Sequence, residues 1–191
     1  MSEDLADPGA GHVAGLGAEL HLDHVTVEVP DLPAAVGQFE EQLGLRVSVS
    51  PSAPQRHGRV YLARAYLEVA ARPDGPTWDV THVFLRFSDP QQLRSHLEEA
   101  ELVYRFQVYE GVDGRWDDVE IDAAGVPMPI LVRRTEPAEV ARDWPPPLDH
   151  PHPGGAFALA AVHIPVASID AAAPLYSRLL AVEAPRDCTG P

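Results

Sequence analysis

The sequence predicts an α+β protein built from two β-α-β-β-β modules and a third module that ends after one strand and one helix. The segment at residues 22–45 has strand periodicity followed by helix periodicity, and it recurs at offsets of 58 and 137 along the chain. Three further strand-like runs follow each of the first two copies, and none follows the third. The modules are therefore assigned to residues 20–72 and 79–136, with a truncated copy after them.

In the first module, alternating valines predict a strand, and Asp31 then marks the start of a helix over residues 31–43. Runs at 46–49, 58–63 and 65–71 supply the remaining strands. In the second module His82 aligns with His24 and Asp89 with Asp31, which predicts a helix over 89–100. Its later strands are predicted at residues 103–109, 116–122 and 128–134.

The ends of the chain and its links differ in composition from the modules. Residues 1–19 are acidic and aperiodic, which predicts a mobile tail, and residues 137–156 form a proline-rich link. Residues 157–191 contain the partial third βα module and a tail. Because leucines at 175, 179 and 180 make this helix too apolar to stay free, it should pack on the first two modules or on a second chain. A homodimer is the expected arrangement.

Composition excludes several classes of function. The formal charge of −15, with 14 basic and 29 acidic residues, disfavours nucleic-acid binding. No apolar run is long enough to span a membrane, and the N-terminus lacks the features of a signal peptide, so a cytoplasmic location is expected. The single cysteine, Cys188, cannot form an internal disulfide. The absence of Lys and Asn is typical of GC-rich coding.

Short motifs at matching positions carry a family resemblance: LDHV at 22–25, VTHV at 80–83, YLEV at 66–69 and PMPILVRR at 127–134. With the paired modules, they resemble the vicinal oxygen chelate superfamily, which includes glyoxalase I, methylmalonyl-CoA epimerase, extradiol dioxygenases and bleomycin-resistance proteins. Within it, the chain is similar to bacterial glyoxalase-like domain proteins. The resemblance implies the glyoxalase/bleomycin-resistance fold, in which helices cover one face of each sheet and the other face forms a concave cup.

Strand parity decides which side chains face that cup. Opposite the apolar valines of the first strand lie Leu22, His24, Thr26 and Glu28. On the same face of their strands lie Tyr66 and Glu68, and His82, Phe84 and Arg86. Two imidazoles and one carboxylate, from His24, His82 and Glu68, predict a site for a divalent metal ion such as Zn, Ni, Co, Mn or Fe.

The superfamily pattern implies a fourth ligand, but its position falls on or beside Val132, which cannot bind a metal. Asp118 and Glu120 are alternative donors, or they are simply solvated. Other residues were assigned from their chemistry. Arg86 and Arg105 are candidate anchors for a carboxylate, the alternative being surface ion pairs. Tyr66, Phe84 and Trp116 are candidate substrate contacts; Trp78, Tyr104 and Phe106 could also line a pocket or belong to the core.

Three other histidines have less specific interpretations. His163 lies on the third copy without an acidic partner, which indicates a structural or interface role. His150 and His152 flank Pro151 in the link and are expected to be exposed.

Three functional hypotheses follow. The first is a metal-dependent enzyme, a lyase, isomerase or ring-cleaving dioxygenase acting on a small oxygenated molecule, in which Glu28 or Glu120 moves a proton. The second is a non-catalytic protein of the antibiotic-resistance type that binds a small, cationic molecule in an acidic cup. The third is a scaffold without a ligand.

Overall fold

The computed structural model describes residues 20–49, 56–63, 65–75, 77–111, 114–135, 152–156 and 158–182. The first module contains β1 (His21–Val29), α1 (Leu32–Leu43), β2 (Ser48–Val49), β3 (His57–Tyr61) and β4 (Tyr66–Ala71). The second contains β5 (Asp79–Arg86), α2 (Pro90–Glu99), β6 (Val103–Gly111), β7 (Gly114–Asp122) and β8 (Ile130–Thr135). The partial third module contributes α3 (Ile169–Leu180).

All eight strands form one sheet in the order β2-β3-β4-β1-β5-β8-β7-β6. Each module contributes four neighbouring strands, and the antiparallel pair β1–β5 joins the two halves. Within each half, the first and last strands are parallel, β1 with β4 and β5 with β8. The predicted α+β fold of paired β-α-β-β-β modules is confirmed.

The three helices begin at equivalent positions of the repeat. Asp31 accepts a hydrogen bond from the Ala34 amide, and Asp89 accepts hydrogen bonds from the Gln91 and Gln92 amides. Ser168 caps α3 in the same way through Ala171. Because a side-chain oxygen at this position satisfies amides that have no partner within the helix, these residues define where each helix starts.

Two apolar cores lie on the helix-covered face of the sheet. The first is formed by α1 with β1, β3 and β4, and includes Phe39 and Val69. The second is formed by α2 with β7 and β8, and it includes Leu97, Val119 and Leu131. Leu179 of α3 is fully buried in this second core, so the predicted packing of the third copy against the other modules is confirmed. None of the helices in the described part of the chain is long and apolar enough to cross a bilayer.

A register shift between β1 and β5 corrects one prediction of parity. His24 pairs with Phe84 but Leu22 pairs with Leu85, so Asp23 is an extra residue in β1. Such an irregularity reverses the side-chain alternation on one side of it. Leu22 therefore shares a face with Leu85, which packs against the second core, and the prediction that Leu22 faces the cup is wrong.

The third module forms its helix but not its predicted strand. Residues 158–166 form neither a helix nor a strand, and they belong to no ladder of the described sheet. The tail at 1–19 and His150 lie outside the described residues.

His152 contradicts the prediction of an exposed loop residue. It is 4% exposed and lies between two backbone groups of the first module. The Arg46 amide donates to His152 Nδ1 at 2.9 Å, and Nε2 is 2.7 Å from the Tyr61 carbonyl oxygen. Since Nδ1 accepts, the proton of the neutral ring is on Nε2, which donates to Tyr61. Sequence periodicity carries no signal for such a contact between distant segments.

We expect His152→Ala to lower the free energy of unfolding by about 2 kcal/mol, because it leaves the Arg46 amide and the Tyr61 carbonyl without this partner. Chemical denaturation measures this loss. His163→Ala is the matched control, since His163 is exposed, and it should change stability by less than about 0.5 kcal/mol. If the two variants were equally stable, the hydrogen bonds of His152 would not contribute to the stability of the folded protein.

Candidate functional site

The face of the sheet opposite the helices holds a pocket of about 310 Å³. Every strand except β2 contributes to its lining, so the sheet curls around it. The lining residues are His24, Arg59, Tyr66, Glu68, Phe84, Tyr109, Trp116, Asp118 and Val132. This volume is at the lower end of the range of small-molecule pockets, about 300–1,000 Å³.

His24 lies at the centre of the pocket floor, on β1, and is 5% exposed. Its ring stacks between Phe84 and Tyr66, with centroid distances of 3.9 and 4.5 Å and interplanar angles of 11° for both. Its Nδ1 is 2.8 Å from Asp23 Oδ1. Because a carboxylate only accepts, Nδ1 carries the proton, and the lone pair of the neutral ring is on Nε2. Asp23 and the two aromatic rings thus fix both the orientation and the tautomer of His24.

Glu68 lies on the neighbouring strand, beside His24. Thr26 donates a hydrogen bond to its Oε2 at 3.3 Å, and the Arg59 guanidinium is 3.8 Å from its Oε1. Arg59 also lies over the Tyr66 ring, 5.5 Å from the centroid. A carboxylate and a guanidinium are therefore held together against an aromatic surface, where each can still meet a polar group of a ligand.

Asp118 enters the pocket from the second module, where it pairs with Val132 across β7 and β8. Burial and the nearby Glu120 raise the pKa of Asp118 to about 6, and His24 opposes this rise. A carboxyl group with this pKa exchanges its proton close to neutral pH, as a general acid or base must.

The Asp118 carboxyl should make stability depend on pH. Its folded-state pKa lies above the unfolded value of about 3.9, so the folded protein holds this proton more tightly, and the ionised form disfavours folding. The penalty is absent below about pH 4 and complete above about pH 6. We expect Asp118→Asn to stabilise the protein by about 1 kcal/mol at pH 7.5 and to have little effect at pH 4.

Denaturant unfolding at both pH values measures this difference. Glu110→Gln removes an exposed carboxylate from the adjacent strand and serves as the control, with no such pH-dependent gain. A gain that is the same at both pH values would contradict the raised pKa.

The second predicted histidine, His82, does not line this pocket. Thr26 pairs with His82 while Val27 pairs with Val80, so Thr81 is an extra residue in β5, and His82 Nδ1 is 3.0 Å from its hydroxyl oxygen. The parallel partner β8 begins to pair with β5 only at Phe84. Pro127 and Pro129 precede β8, and proline cannot donate to a ladder, which explains the late start. His82 is exposed and faces a smaller pocket of about 90 Å³ with His163 and Tyr176.

The predicted metal ligands therefore do not meet. Among the described residues, no group of three or more His, Cys, Asp or Glu side chains is arranged to hold a metal ion. His24 and Glu68 share the large pocket, but His82 does not line it, and Val132 supplies no donor. The donor set does not fit the three-ligand site that the sequence predicted.

The candidate proton carriers Glu28 and Glu120 and the candidate anchors Arg86 and Arg105 lie outside the pocket lining. Arg72 donates to Glu28 Oε2 at 2.6 Å, while Glu120 accepts from Arg105 and from Gln107. Arg105 is thus in a surface ion pair, and Arg86 is exposed on β5. Their roles as proton carriers or ligand anchors remain predictions.

Tyr66, Phe84 and Trp116 line the pocket, as candidate substrate contacts should. Trp78 instead stacks on Phe39, and Tyr104 and Phe106 pack against the second core. Sequence reasoning missed Arg59 and Tyr109. The alternation of Arg59 with the buried Gly58 and Val60 was the signal that places Arg59 on the cup face.

The structure thus combines a curved sheet of paired modules with a polar and aromatic pocket. The family model for the glyoxalase-like domain matches residues 22–180, so the chain belongs to the glyoxalase-like domain family of the vicinal oxygen chelate superfamily. A comparison with curated proteins found no match.

Solved structures with a similar fold include methylmalonyl-CoA epimerase from Mycobacterium tuberculosis. It is 19% identical, with a TM-score of 0.47 over 63% of this chain and 91% of that chain. A hypothetical protein from Bacillus halodurans C-125 is 10% identical, with a TM-score of 0.44 over 62% and 97% of the two chains. An Mn(II)-bound glyoxalase from Novosphingobium aromaticivorans is 11% identical, with a TM-score of 0.41 over 58% and 38%.

Proposed function

We propose that this protein is an enzyme of the lyase or isomerase type that moves a proton on a small oxygenated molecule bound in the cup. The observation that carries the proposal is the pairing, in one pocket, of an imidazole oriented by Asp23 with the Asp118 carboxyl, whose pKa is raised to about 6. Acid–base catalysis requires a proton acceptor and a proton donor that can reach the same substrate.

The chemistry follows from the state of each group. The Nε2 lone pair of His24 takes a proton from a carbon next to a carbonyl, and protonated Asp118 gives its proton to the carbonyl oxygen, which yields the enol. Return of a proton to carbon regenerates the carbonyl compound. Arg59 and Glu68 hold polar groups of the substrate, and Tyr66, Phe84 and Trp116 contact its apolar part. Because the donors do not form the predicted metal site, no step of this proposal uses a metal ion.

Deuterium exchange tests this function without a known product. A panel of small 2-oxo acids and 2-hydroxy ketones is incubated with the protein in D₂O, and exchange at the carbon next to the carbonyl is followed by ¹H NMR. At least one compound should exchange faster than in buffer alone, with saturation in substrate. Added chelator should leave the rate unchanged.

The alternative is a non-catalytic protein that binds a cationic aromatic molecule. It is favoured by the two carboxylates, Glu68 and Asp118, among four aromatic side chains in a chain of formal charge −15. Quenching of Trp116 fluorescence by aromatic amines measures such binding. Saturable quenching without deuterium exchange of any panel compound would replace the enzyme with the binding protein.

A further inference from the structure

The cup contains an ion pair that limits the charge of its ligand. Arg59 and Glu68 lie directly opposite each other on β3 and β4, and Thr26 lies opposite Glu68 on β1. The Thr26 hydroxyl donates to Glu68 Oε2 at 3.3 Å, while Glu68 Oε1 is 3.8 Å from Arg59 Nη2. The side chains of Arg59 and Glu68 are 16% and 22% exposed, and both line the cup. The pair is therefore partly withdrawn from water but still within reach of a ligand.

The pair favours a ligand group that both donates and accepts hydrogen bonds. A separation of 3.8 Å is longer than a hydrogen bond, so a group placed beside Arg59 and Glu68 can bond to each. A carboxylate only accepts, and it would meet the like charge of Glu68; an ammonium group only donates, and it would meet Arg59. A carboxamide accepts from Arg59 through its oxygen and donates to Glu68 through its NH₂ group, without a charge. A hydroxyl group offers both functions on one atom, whereas a carboxamide presents them side by side, as two separated partners require.

The other polar groups of the cup also disfavour an anion. Among the described residues that line it, Arg59 is the only arginine, and it shares the cup with two carboxyl groups, Glu68 and Asp118. The His24 ring is neutral in the tautomer that Asp23 fixes. A carboxylate ligand would therefore enter a lining whose one permanent positive charge Glu68 already balances. Repulsion between like charges is stronger in such a partly dehydrated site than in water.

The order of the groups along the cup indicates the rest of the ligand. In the strand ladders, Thr26 and Glu68 lie on one side of His24 and Asp118 lies on the other, two residues along the strands in each direction. Trp116 lies two residues beyond Asp118 on β7. A step of two residues spans about 7 Å along a strand, so one small molecule can contact groups from neighbouring steps. The ion pair, the imidazole, the Asp118 carboxyl and the indole therefore follow one another along the cup.

We propose that the cup selects an uncharged aryl ketone that carries a carboxamide. The carboxamide bonds to Arg59 and Glu68, and the aromatic ring lies against Trp116. Between them, the carbon next to the ketone faces His24 Nε2 and the ketone oxygen faces Asp118. Glu68 is thus a specificity-determining residue, because its charge decides between a carboxamide and a carboxylate. The position of the ketone rests on the proposed proton transfer, whereas the selection by charge rests on the ion pair alone.

Two probes that differ only in this end group test the selection: 4-oxo-4-phenylbutanamide and 4-oxo-4-phenylbutanoate. Isothermal titration calorimetry of the unmodified protein should give a Kd for the amide at least about tenfold lower than for the carboxylate. Glu68→Gln should reverse this order, because the variant keeps an acceptor for Thr26, removes the negative charge and leaves Arg59 in place. Glu110→Gln is the matched control; it removes an exposed carboxylate from β6 and should keep the original order. Circular dichroism verifies that both variants are folded.

Four results would overturn the proposal. They are equal or tighter binding of the carboxylate by the unmodified protein, no binding of either probe, an unchanged order in Glu68→Gln, and tighter binding of the cation 4-phenylbutylamine than of the amide. The same probes separate this proposal from the proposed function. Selection of the amide without deuterium exchange next to its ketone would remove the enzyme but keep the selection. Exchange of panel compounds together with equal binding of the two probes would keep the enzyme but overturn the selection.

Discussion

Replacing His24 by Asn is expected to reduce the rate of deuterium exchange by about 10²–10⁴-fold, the range that a general base contributes. The Asn side-chain amide can still donate toward Asp23, but it has no basic nitrogen where His24 presents Nε2. The loss should therefore come from the chemistry of the ring, and circular dichroism should show an intact sheet.

His82→Asn is the matched control, because His82 is the repeat equivalent of His24 and also bonds to the residue before it, Thr81. It is exposed and does not line the large pocket, so its exchange rate should equal that of the unmodified protein. Equal losses in the two variants, with metal present in the purified protein, would instead favour the metal-dependent enzyme that the sequence first predicted. Asp118→Asn should lower the rate at neutral pH as well.

The second large effect is expected in α3. Leu179 is fully buried in the second core, together with Leu93 and Leu97 of α2, and its neighbours in α3 are tied to the same module. The Tyr176 hydroxyl donates to the Pro127 carbonyl at 2.6 Å, and Arg178 donates to the Ala100 carbonyl at 3.0 Å. Leu179→Ala leaves a cavity where the surrounding structure cannot fully collapse, and we expect a loss of about 3 kcal/mol.

Thermal unfolding should show a decrease in Tm of about 6–12 °C for a chain of this size. Ile169→Ala, on the same helix but 61% exposed, should change stability by less than about 0.5 kcal/mol. If Leu179→Ala melted like the unmodified protein, α3 would not be part of the second core.

Two features of the sequence predicted the fold. Helix caps at Asp31 and Asp89 repeat at an offset of 58, and each sets the start of a helix through local hydrogen bonds. Period-2 alternation then identified the buried face of the regular parts of β1 and β5, including Val29 and, directly after β5, Phe87. Both signals are local, because they depend on residues a few positions apart.

The same local reasoning placed part of the pocket correctly. The cup is lined by five residues that the sequence had identified: His24, Tyr66, Glu68, Phe84 and Trp116. All five lie in or beside parts of their strands where the pairing register is uninterrupted. The sequence also predicted correctly that His24 and His82 occupy equivalent positions of the repeat. That equivalence does not determine which pocket each imidazole ring faces.

Tertiary structure decided the rest, because pairing between strands depends on residues far apart in the chain. The sequence determined the modules, their helix starts and most of the cup face. The extra residue Asp23 became visible only when β1 paired with β5, and it moved Leu22 to the other face. His82 pairs with Thr26 but lies before the point where β8 begins to pair with β5, and it does not line the pocket. His152 is buried because a distant amide donates a hydrogen bond to its ring and a distant carbonyl accepts one from it. Asp118 acquires its raised pKa only from the groups that folding brings around it.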